Sequence, residues 1–209
     1  MENFSRLFKL LETTRSMPQT GYALVGIEKG QLSDLAQHQY LVTMIAWQLA
    51  RGANRSGAKL DVLKVMELAM VHDLGELFGS DIAMPYARVN KRAKKFAMAF
   101  ESENHKFLVK FFGDDKKYLT WLFAEIMNQK TDEGLVAKLA DYLESAHYRL
   151  YMKKMDKKDF AINQERLDSY LKKVKGKELK NYLSKFLKLW QKEFFVNYDS
   201  HNIMHSLSD

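Results

Sequence analysis

The sequence contains no cysteine, and its 209 residues include only 2 prolines and 10 glycines. Without cysteine, disulfides, thiolate nucleophiles and thiolate metal ligands are excluded, so any metal site must use histidine and carboxylate side chains. Because proline and glycine interrupt helices, their scarcity favours long helices. Strand-like alternation is nearly absent, and residues 22–27 are its best short candidate. We therefore expect an all-α fold.

No segment of the sequence is apolar for long enough to cross a membrane. The longest stretch without Asp, Glu, Lys or Arg is 35–50, which is shorter than the roughly 20 residues that a spanning helix needs. Residues 1–5 lack the basic region and the cleavage site of a secretion signal. We therefore expect a cytoplasmic protein that does not associate with membranes.

The formal net charge is +7, and most of the excess lies late in the chain, around 153–158 and 172–180. A basic surface attracts phosphate groups, whether on nucleic acids or on small nucleotides. A solvated helix face is the simpler explanation of these basic runs. Aromatic residues do not alternate with the basic ones as they do in nucleic-acid-binding modules, so we expect no nucleic-acid partner.

Apolar residues recur at every third or fourth position along most of the chain, which predicts amphipathic helices. Asp34 with Gln37, Asp61 and Asp132 are the residue types that begin helices. We expect one all-α unit, with a basic helical extension over 156–209 that packs on it or forms a dimer contact. The predicted helices are 3–14, 34–50, 61–79, 88–113, one from 114 or 115, one from 132, and two in the extension, with a loop at 52–57.

One of these predicted helices carries several aromatic residues on a single stripe. Phe96, Phe100 and Phe107 are separated by helical spacing in the segment that ends near Gly113. A regular apolar stripe of this kind usually faces the protein interior. We therefore expect these three side chains in the core.

The pair His72–Asp73 follows an apolar run, 68–71, in the helix predicted from Asp61 to Gly79. At about 3.6 residues per turn, Glu76 lies one turn after His72, and Asp73 lies about 100° around the helix from His72. Burying an unpaired carboxylate on this side would cost several kcal/mol. A bound metal ion would remove that cost by making the carboxylate a ligand.

Two further residues can complete such a site. His38 lies on the apolar stripe of its helix and therefore faces the core, although a single buried histidine is more often structural than a ligand. Asp141 lies on the side of its helix that carries small residues, which allows close approach of another helix, although a single aspartate can equally form a salt bridge or a cap. Together with His72 and Asp73, they can close around one divalent cation.

The order His38, His72–Asp73, Asp141 resembles the H…HD…D signature of the HD-domain metal-dependent phosphohydrolases. Residues 34–40 and 72–85 resemble the branch of this superfamily that contains 5′-deoxynucleotidases, which has a glutamate and a second aspartate where Glu76 and Asp81 stand. Gln37 departs from that branch, which usually has an acidic residue there. The resemblance implies an HD-domain helical bundle over 1–155 and one divalent metal ion (Mn, Co, Fe, Ni, Zn or Mg).

The resemblance also implies roles for individual residues. His38, His72, Asp73 and Asp141 would be the metal ligands, and Glu76 would position the attacking water or accept its proton. Asp81 would orient a second water or the leaving group, unless it is a turn or cap residue. Arg15 would bind the substrate phosphate, unless it is a surface residue, because 15–22 approximates an N-terminal element that binds substrate in relatives. His105 is the only histidine between Asp73 and Asp141, and we expect it on a helix surface, which favours a single metal ion.

These observations lead to a metal-dependent phosphohydrolase that releases phosphate from nucleoside 5′-monophosphates, with deoxynucleotides as the expected substrates. The expected partners are a small-molecule nucleotide and a second copy of the chain in a homodimer. One alternative is another HD chemistry, such as a dinuclear phosphodiesterase or a di-iron oxygenase. The other is a non-catalytic HD protein that binds a nucleotide or a partner.

Overall fold

The computed structural model describes residues 2–79, 84–196 and 204. Over these residues the chain forms nine α-helices and no β-strand, which confirms the expected all-α class. None of the described helices combines the length and the apolar character that crossing a bilayer requires. The helices are α1 (Glu2–Leu11), α2 (Leu35–Arg55), α3 (Val62–Val71), α4 (Met84–Val89), α5 (Lys91–Leu108), α6 (Lys116–Asn128), α7 (Asp132–Tyr151), α8 (Lys157–Lys173) and α9 (Lys177–Glu193).

Short 3₁₀ helices connect several of the α-helices. One of them, Thr20–Val25, occupies the segment in which the sequence suggested a short strand, so that suggestion is wrong. Another, Leu74–Phe78, follows α3 and shapes the site described below. The remaining 3₁₀ helices are Glu12–Ser16, Lys29–Gln31, Val109–Phe111 and Gly113–Asp115.

The start of α2 agrees with the sequence, but its end does not. The Asp34 carboxylate accepts a hydrogen bond from the backbone N–H of Gln37 at 2.8 Å, which confirms the predicted cap. The helix continues to Arg55, so the predicted loop at 52–57 begins too early. Gly52 therefore lies inside the helix. A glycine is required there because the Tyr182 ring of α9 packs against its backbone, where a Cβ atom would collide with that ring.

The residue that caps α7 is Thr131 and not Asp132. The Thr131 hydroxyl accepts a hydrogen bond from the Gly134 N–H at 3.1 Å. The Asp132 carboxylate instead accepts bonds from the backbone N–H groups of Lys175 and Gly176, at 2.9 and 2.8 Å. Asp132 therefore ties the turn between α8 and α9 to the beginning of α7.

Helices α2, α3 and α7 pack together around one apolar core, and the C-terminal helices add to the same core. Leu139 of α7 is 1% exposed, and so are Leu167 of α8 and Leu183 of α9. These three side chains belong to one continuous cluster. The apolar stripes of α8 and α9 are thus covered by the rest of the chain.

The aromatic stripe of α5 is not in the core, which contradicts the prediction from its spacing. Phe96, Phe100 and Phe107 are 59%, 50% and 45% exposed. The buried side of α5 is formed by Asn104, His105 and Leu108. The Asn104 side chain donates a hydrogen bond to the Gly75 carbonyl at 2.7 Å, and this contact turns a polar side of the helix inward.

If the C-terminal helices unfold together with the rest of the protein, a cavity in α9 should destabilise the whole chain. We expect Leu183→Ala to lower the free energy of unfolding by about 2–5 kcal/mol, because a fully buried leucine leaves a cavity. Leu189→Ala is the matched control, since Leu189 is on the same helix but 59% exposed, and it should change stability by less than about 0.5 kcal/mol. Urea unfolding followed by circular dichroism measures both. A separate early transition in Leu183→Ala would contradict a single cooperative unit.

Candidate metal centre

Helix α3 ends at Val71, so the His72–Asp73 pair lies in a backbone break and not inside a continuous helix. His72 keeps helical angles, but Asp73 has φ −114° and ψ 12°, and a 3₁₀ helix follows. The prediction that a single helix runs from Asp61 to Gly79 is therefore wrong at this point.

The break also fixes the orientation of the His72 ring. Carbonyl groups at the C-terminal end of a helix lack helical partners. The carbonyl of Ala69 accepts a hydrogen bond from His72 Nδ1 at 2.6 Å. Because a carbonyl can only accept, Nδ1 carries the proton and Nε2 is the nitrogen available to bind a metal.

The predicted metal ligands come together in space from three parts of the fold. His38 is on α2, His72 and Asp73 follow α3, and Asp141 is on α7. The His38 Nε2 atom lies 3.2 Å from His72 Nε2 and 3.4 Å from the nearest carboxylate oxygens of both Asp73 and Asp141. His72 Nε2 lies 3.2 Å from Asp73 Oδ2 and 3.9 Å from Asp141 Oδ1.

These donor atoms fit the ligand set of a single divalent cation. His38, His72 and Asp73 each place one potential ligand atom within 4.8 Å of the others. Ligands bound at about 2.0–2.2 Å from one ion are about 3–3.6 Å apart when they are neighbours, which is close to the separations found here. Two imidazoles and two carboxylates suit Mn, Fe, Co, Ni or Zn better than a softer metal.

The electrostatics of the cluster favour bound positive charge. Burial alone would lower the pKa of His38, but hydrogen bonds to Asp141, Asp73 and Glu144 raise that pKa well above its usual value. Burial opposes ionisation of Asp73, yet the charge of His72 and the hydrogen bond from His38 hold the pKa of Asp73 well below its ordinary value. The pKa of Asp141 is also lowered against burial, mainly by Lys138. The carboxylates are thus ionised and attract a cation.

Lys138 and Glu144 hold two of the proposed ligands in place, and the sequence alone had not identified either of them. Lys138 Nζ lies 2.5 Å from Asp141 Oδ2, which leaves Oδ1 directed toward the histidines. Glu144 Oε2 lies 2.6 Å from His38 Nδ1. Both residues are within one turn of Asp141 on α7, and that spacing is the sequence signal that could have revealed them.

Glu76 lies beside the cluster, as the sequence predicted, and it lines the same cavity. The amide Nε2 of Gln19 donates to Glu76 Oε2 at 3.4 Å and to Asp73 Oδ2 at 3.3 Å. Gln19 is 8% exposed. It belongs to the 15–22 segment. The family resemblance associates this segment with substrate binding, but through Arg15.

The structure does not place Arg15 in the site. Arg15 is on the surface, where its side chain is 72% exposed and pairs with Glu12 at 2.8 Å. Its role in binding substrate therefore stays a prediction that this geometry does not support. Asp81 lies outside the described residues.

His105 is buried, which contradicts its expected position on a helix surface. Its ring is 5% exposed and stacks on Phe123, with 4.0 Å between ring centroids and 6° between the planes. Burial lowers the pKa of His105 to about 4, so the ring is neutral at physiological pH. Within the described residues His105 Nε2 has no hydrogen-bond partner, and it packs so closely on Gly75 that a Cβ atom there would lie 2.7 Å away. His105 therefore supports the wall behind the site.

The proposed ligands line a cavity of about 510 Å³. Pockets for small ligands commonly have volumes of about 300–1,000 Å³, so a nucleoside monophosphate can enter. The cavity wall includes four cationic side chains, which are Lys94, Lys138, Arg149 and Arg166. It also includes the carboxylates of Asp73, Glu76, Glu101 and Asp141.

Comparisons with known proteins agree with this geometry. The family described as YfbR-like 5′-deoxynucleotidase matches residues 26–190. The chain is 25% identical over 183 residues to 5′-deoxynucleotidase HDDC2 of Dictyostelium discoideum, covering 85% of this chain and 90% of that protein. It is 25% identical over 158 residues to 5′-deoxynucleotidase YfbR of Salmonella paratyphi B, covering 74% of this chain and 78% of that protein.

Solved structures support the fold. A conserved hypothetical protein from Pyrococcus furiosus superposes with a TM-score of 0.65 at 23% sequence identity, over 90% of this chain and 98% of that one. A protein from Pyrococcus horikoshii superposes with a TM-score of 0.67 at 22% identity and the same coverage.

Proposed function

This chain belongs to the YfbR-like 5′-deoxynucleotidase family and is therefore a phosphomonoester hydrolase that acts on nucleotides, and we propose that its substrates are deoxynucleoside 5′-monophosphates. The observation that carries the proposal is the convergence of His38, His72, Asp73 and Asp141 in the wall of a cavity large enough for a nucleotide. The names of the curated relatives favour the deoxy series.

We propose that these four side chains hold one divalent metal ion. When bound, the ion would screen the phosphate charge and make water more acidic. His38 and His72 each present Nε2 toward the centre because their Nδ1 atoms hydrogen-bond to Glu144 and to the Ala69 carbonyl. The buried His105 stays in the wall, so the proposal keeps a single metal ion.

Glu76 is the proposed catalytic base. Its carboxylate lines the cavity next to Asp73, and Gln19 hydrogen-bonds to both of these residues. A glutamate at this position can orient a water molecule and accept its proton as the water attacks phosphorus. Positioning and charge stabilisation carry most of phosphoryl transfer, so few groups are required. We keep Asp81 as the residue proposed to orient a second water or the leaving group.

Charge balance in the cavity supports a phosphate substrate. The four carboxylates and four cations of the wall cancel in charge. A bound dication would therefore give the cavity a net positive charge, which a phosphate dianion would neutralise. Two of the cations already have carboxylate partners, since Lys138 pairs with Asp141 and Arg149 pairs with Asp159. Among the residues that the structure describes, no carboxylate pairs with Lys94 or with Arg166, and of these two only Arg166 has a guanidinium that can bind a phosphate through two hydrogen bonds.

We therefore propose that Arg166 of α8 binds the substrate phosphate. The family resemblance assigns this role to Arg15. Arg166 lines the cavity, and its guanidinium lies over the Tyr142 ring, 5.6 Å from the centroid, a contact that does not use the N–H groups at the guanidinium edge. The C-terminal extension would then take part in substrate binding as well as in packing.

The catalytic role of Glu76 is tested by Glu76→Gln, which keeps the shape of the side chain but removes its basicity. We expect kcat for deoxynucleoside 5′-monophosphates to fall at least about 100-fold, with metal binding retained because Glu76 is not a proposed ligand. Phosphate release with saturating Mn²⁺ or Co²⁺, compared across deoxy- and ribonucleotides, is the measurement. Glu103→Gln, at a 69% exposed glutamate, is the control. Unchanged hydrolysis by Glu76→Gln would refute its role, and no release from any nucleotide by the unmodified protein would refute the proposed function.

The role of Arg166 is tested by Arg166→Ala. Loss of a charge-assisted hydrogen bond of about 1.5–3 kcal/mol should raise KM for deoxynucleotides about 10- to 100-fold. We expect kcat at saturating substrate to change by less than about threefold. Arg51→Ala is the matched control, because Arg51 also stacks on an aromatic ring, that of Trp47 at 5.3 Å, but lies outside the cavity wall. An unchanged KM would exclude Arg166 from substrate binding.

We propose that the protein is a homodimer, because the exposed aromatic residues of α5 (Phe96, Phe100 and Phe107) form an apolar surface that is uncovered in the described chain. We also propose a cytoplasmic location, because the family acts on soluble nucleotides. Phe96→Asp places a charge on this surface and should convert the dimer to a monomer, as measured by light scattering after size-exclusion chromatography. Phe8→Asp is the control, since Phe8 is 63% exposed on α1. A monomeric unmodified protein would overturn the dimer, and cell fractionation tests the location.

A further inference from the structure

Glu144 is a buried carboxylate that is neither a proposed metal ligand nor a proposed catalytic group. It is 2% exposed and lies on α7, three residues after Asp141, without lining the cavity. A carboxylate in the interior is costly unless its charge is satisfied by hydrogen bonds or by a positive group. Its partners therefore indicate what it does.

The strongest partner of Glu144 is a proposed metal ligand. Glu144 Oε2 lies 2.6 Å from His38 Nδ1, and both side chains are almost completely buried. In the neutral form that a metal ligand must have, the contact of Nδ1 with the Glu144 carboxylate places the ring proton on Nδ1, and the lone pair of Nε2 then faces Asp73 and Asp141. His72 receives the same constraint from a neutral carbonyl, that of Ala69, so the two histidines differ in the charge of their acceptors.

A second partner links Glu144 to the cavity wall. The Tyr22 hydroxyl donates to the same carboxylate oxygen at 3.3 Å and lies 3.2 Å from the Ser145 hydroxyl. Tyr22 is 8% exposed, and it comes from the 3₁₀ helix Thr20–Val25, which lines the cavity. One carboxylate oxygen is thus shared by a wall residue and by His38.

We propose that Glu144 is a positioning residue that sets the affinity of the site for its metal ion through His38, and that Tyr22 tunes this effect from the cavity wall. A carboxylate that accepts the second imidazole proton fixes the ring orientation and makes the ligating nitrogen more basic. The Tyr22 hydroxyl donates to the same oxygen and holds it in the orientation that meets His38 Nδ1. The inference rests on the metal centre of the proposed function.

The test is the dissociation constant for Mn²⁺, measured by competition with a chelator on the full chain. Glu144→Gln keeps the shape of the side chain but removes its charge, and it should weaken Mn²⁺ binding about 10- to 100-fold. At saturating Mn²⁺ we expect kcat within about threefold of the unmodified enzyme. Glu144→Asp retains the charge and should recover part of the affinity. Tyr22→Phe should weaken binding by a smaller factor in the unmodified background and by almost none in Glu144→Gln.

Glu125→Gln is the matched control. Glu125 is also a buried glutamate, at 5% exposed, but its carboxylate accepts bonds from the Thr131 backbone and hydroxyl and touches no proposed ligand. This variant should lower the melting temperature without changing the Mn²⁺ dissociation constant. If Glu144→Gln does not fold, Tyr22→Phe and Glu144→Asp carry the test.

The possible results separate the two proposals. Equal Mn²⁺ affinity in Glu144→Gln and the unmodified protein would overturn the positioning role. The same conclusion follows if Glu125→Gln weakens binding as much, or, when Glu144→Gln does not fold, if both remaining variants bind as tightly as the unmodified protein. Failure of the unmodified protein to bind Mn²⁺ would instead overturn the metal centre itself.

Discussion

The burial of two ionised carboxylates, Asp73 and Asp141, is the constraint on which this site depends. Burial raises the cost of ionising each of them, and the charge of Asp73 adds to that cost at Asp141. Positive charge must therefore be close to both, and the fold supplies it from Lys138 and from the two histidines. A divalent ion would satisfy the same requirement with one bound group.

Local backbone irregularity contributes as much as helix packing to this arrangement. If α3 continued through His72 and Asp73, the carbonyl of Ala69 would be engaged in the helix. Because the helix ends at Val71, that carbonyl is available to hold the His72 ring. The 3₁₀ helix that follows keeps Glu76 beside Asp73, and Gly75 lets His105 pack directly behind it. The buried, neutral ring of His105 and the break after α3 together form the wall behind the site.

The C-terminal helices belong to both the core and the cavity. Leu167 and Leu183 complete the apolar interior, while Arg166 of α8 lines the cavity. The basic composition of this region suggests a solvated surface, but one of its charges, that of Arg166, lies in the cavity wall. The exposed aromatic residues of α5 show the opposite case, since a regular apolar stripe was left outside because Asn104 and His105 anchor the other side.

The sequence by itself determined the helical class, the family and the caps at Asp34 and Asp61, whose carboxylates accept from the N–H groups of Gln37 and Lys64. It also singled out the residues that meet in the candidate metal centre, because all of these follow from residue type and spacing along the chain. The tertiary structure decided which residues reach the site. Gln19 and Glu144 are there, and Arg15 is not, because contacts between residues more than 50 positions apart depend on how helices pack and where they break. Local periodicity contains no information about those contacts. It therefore could not predict that His105 lies in the interior or that the aromatic stripe of α5 lies at the surface.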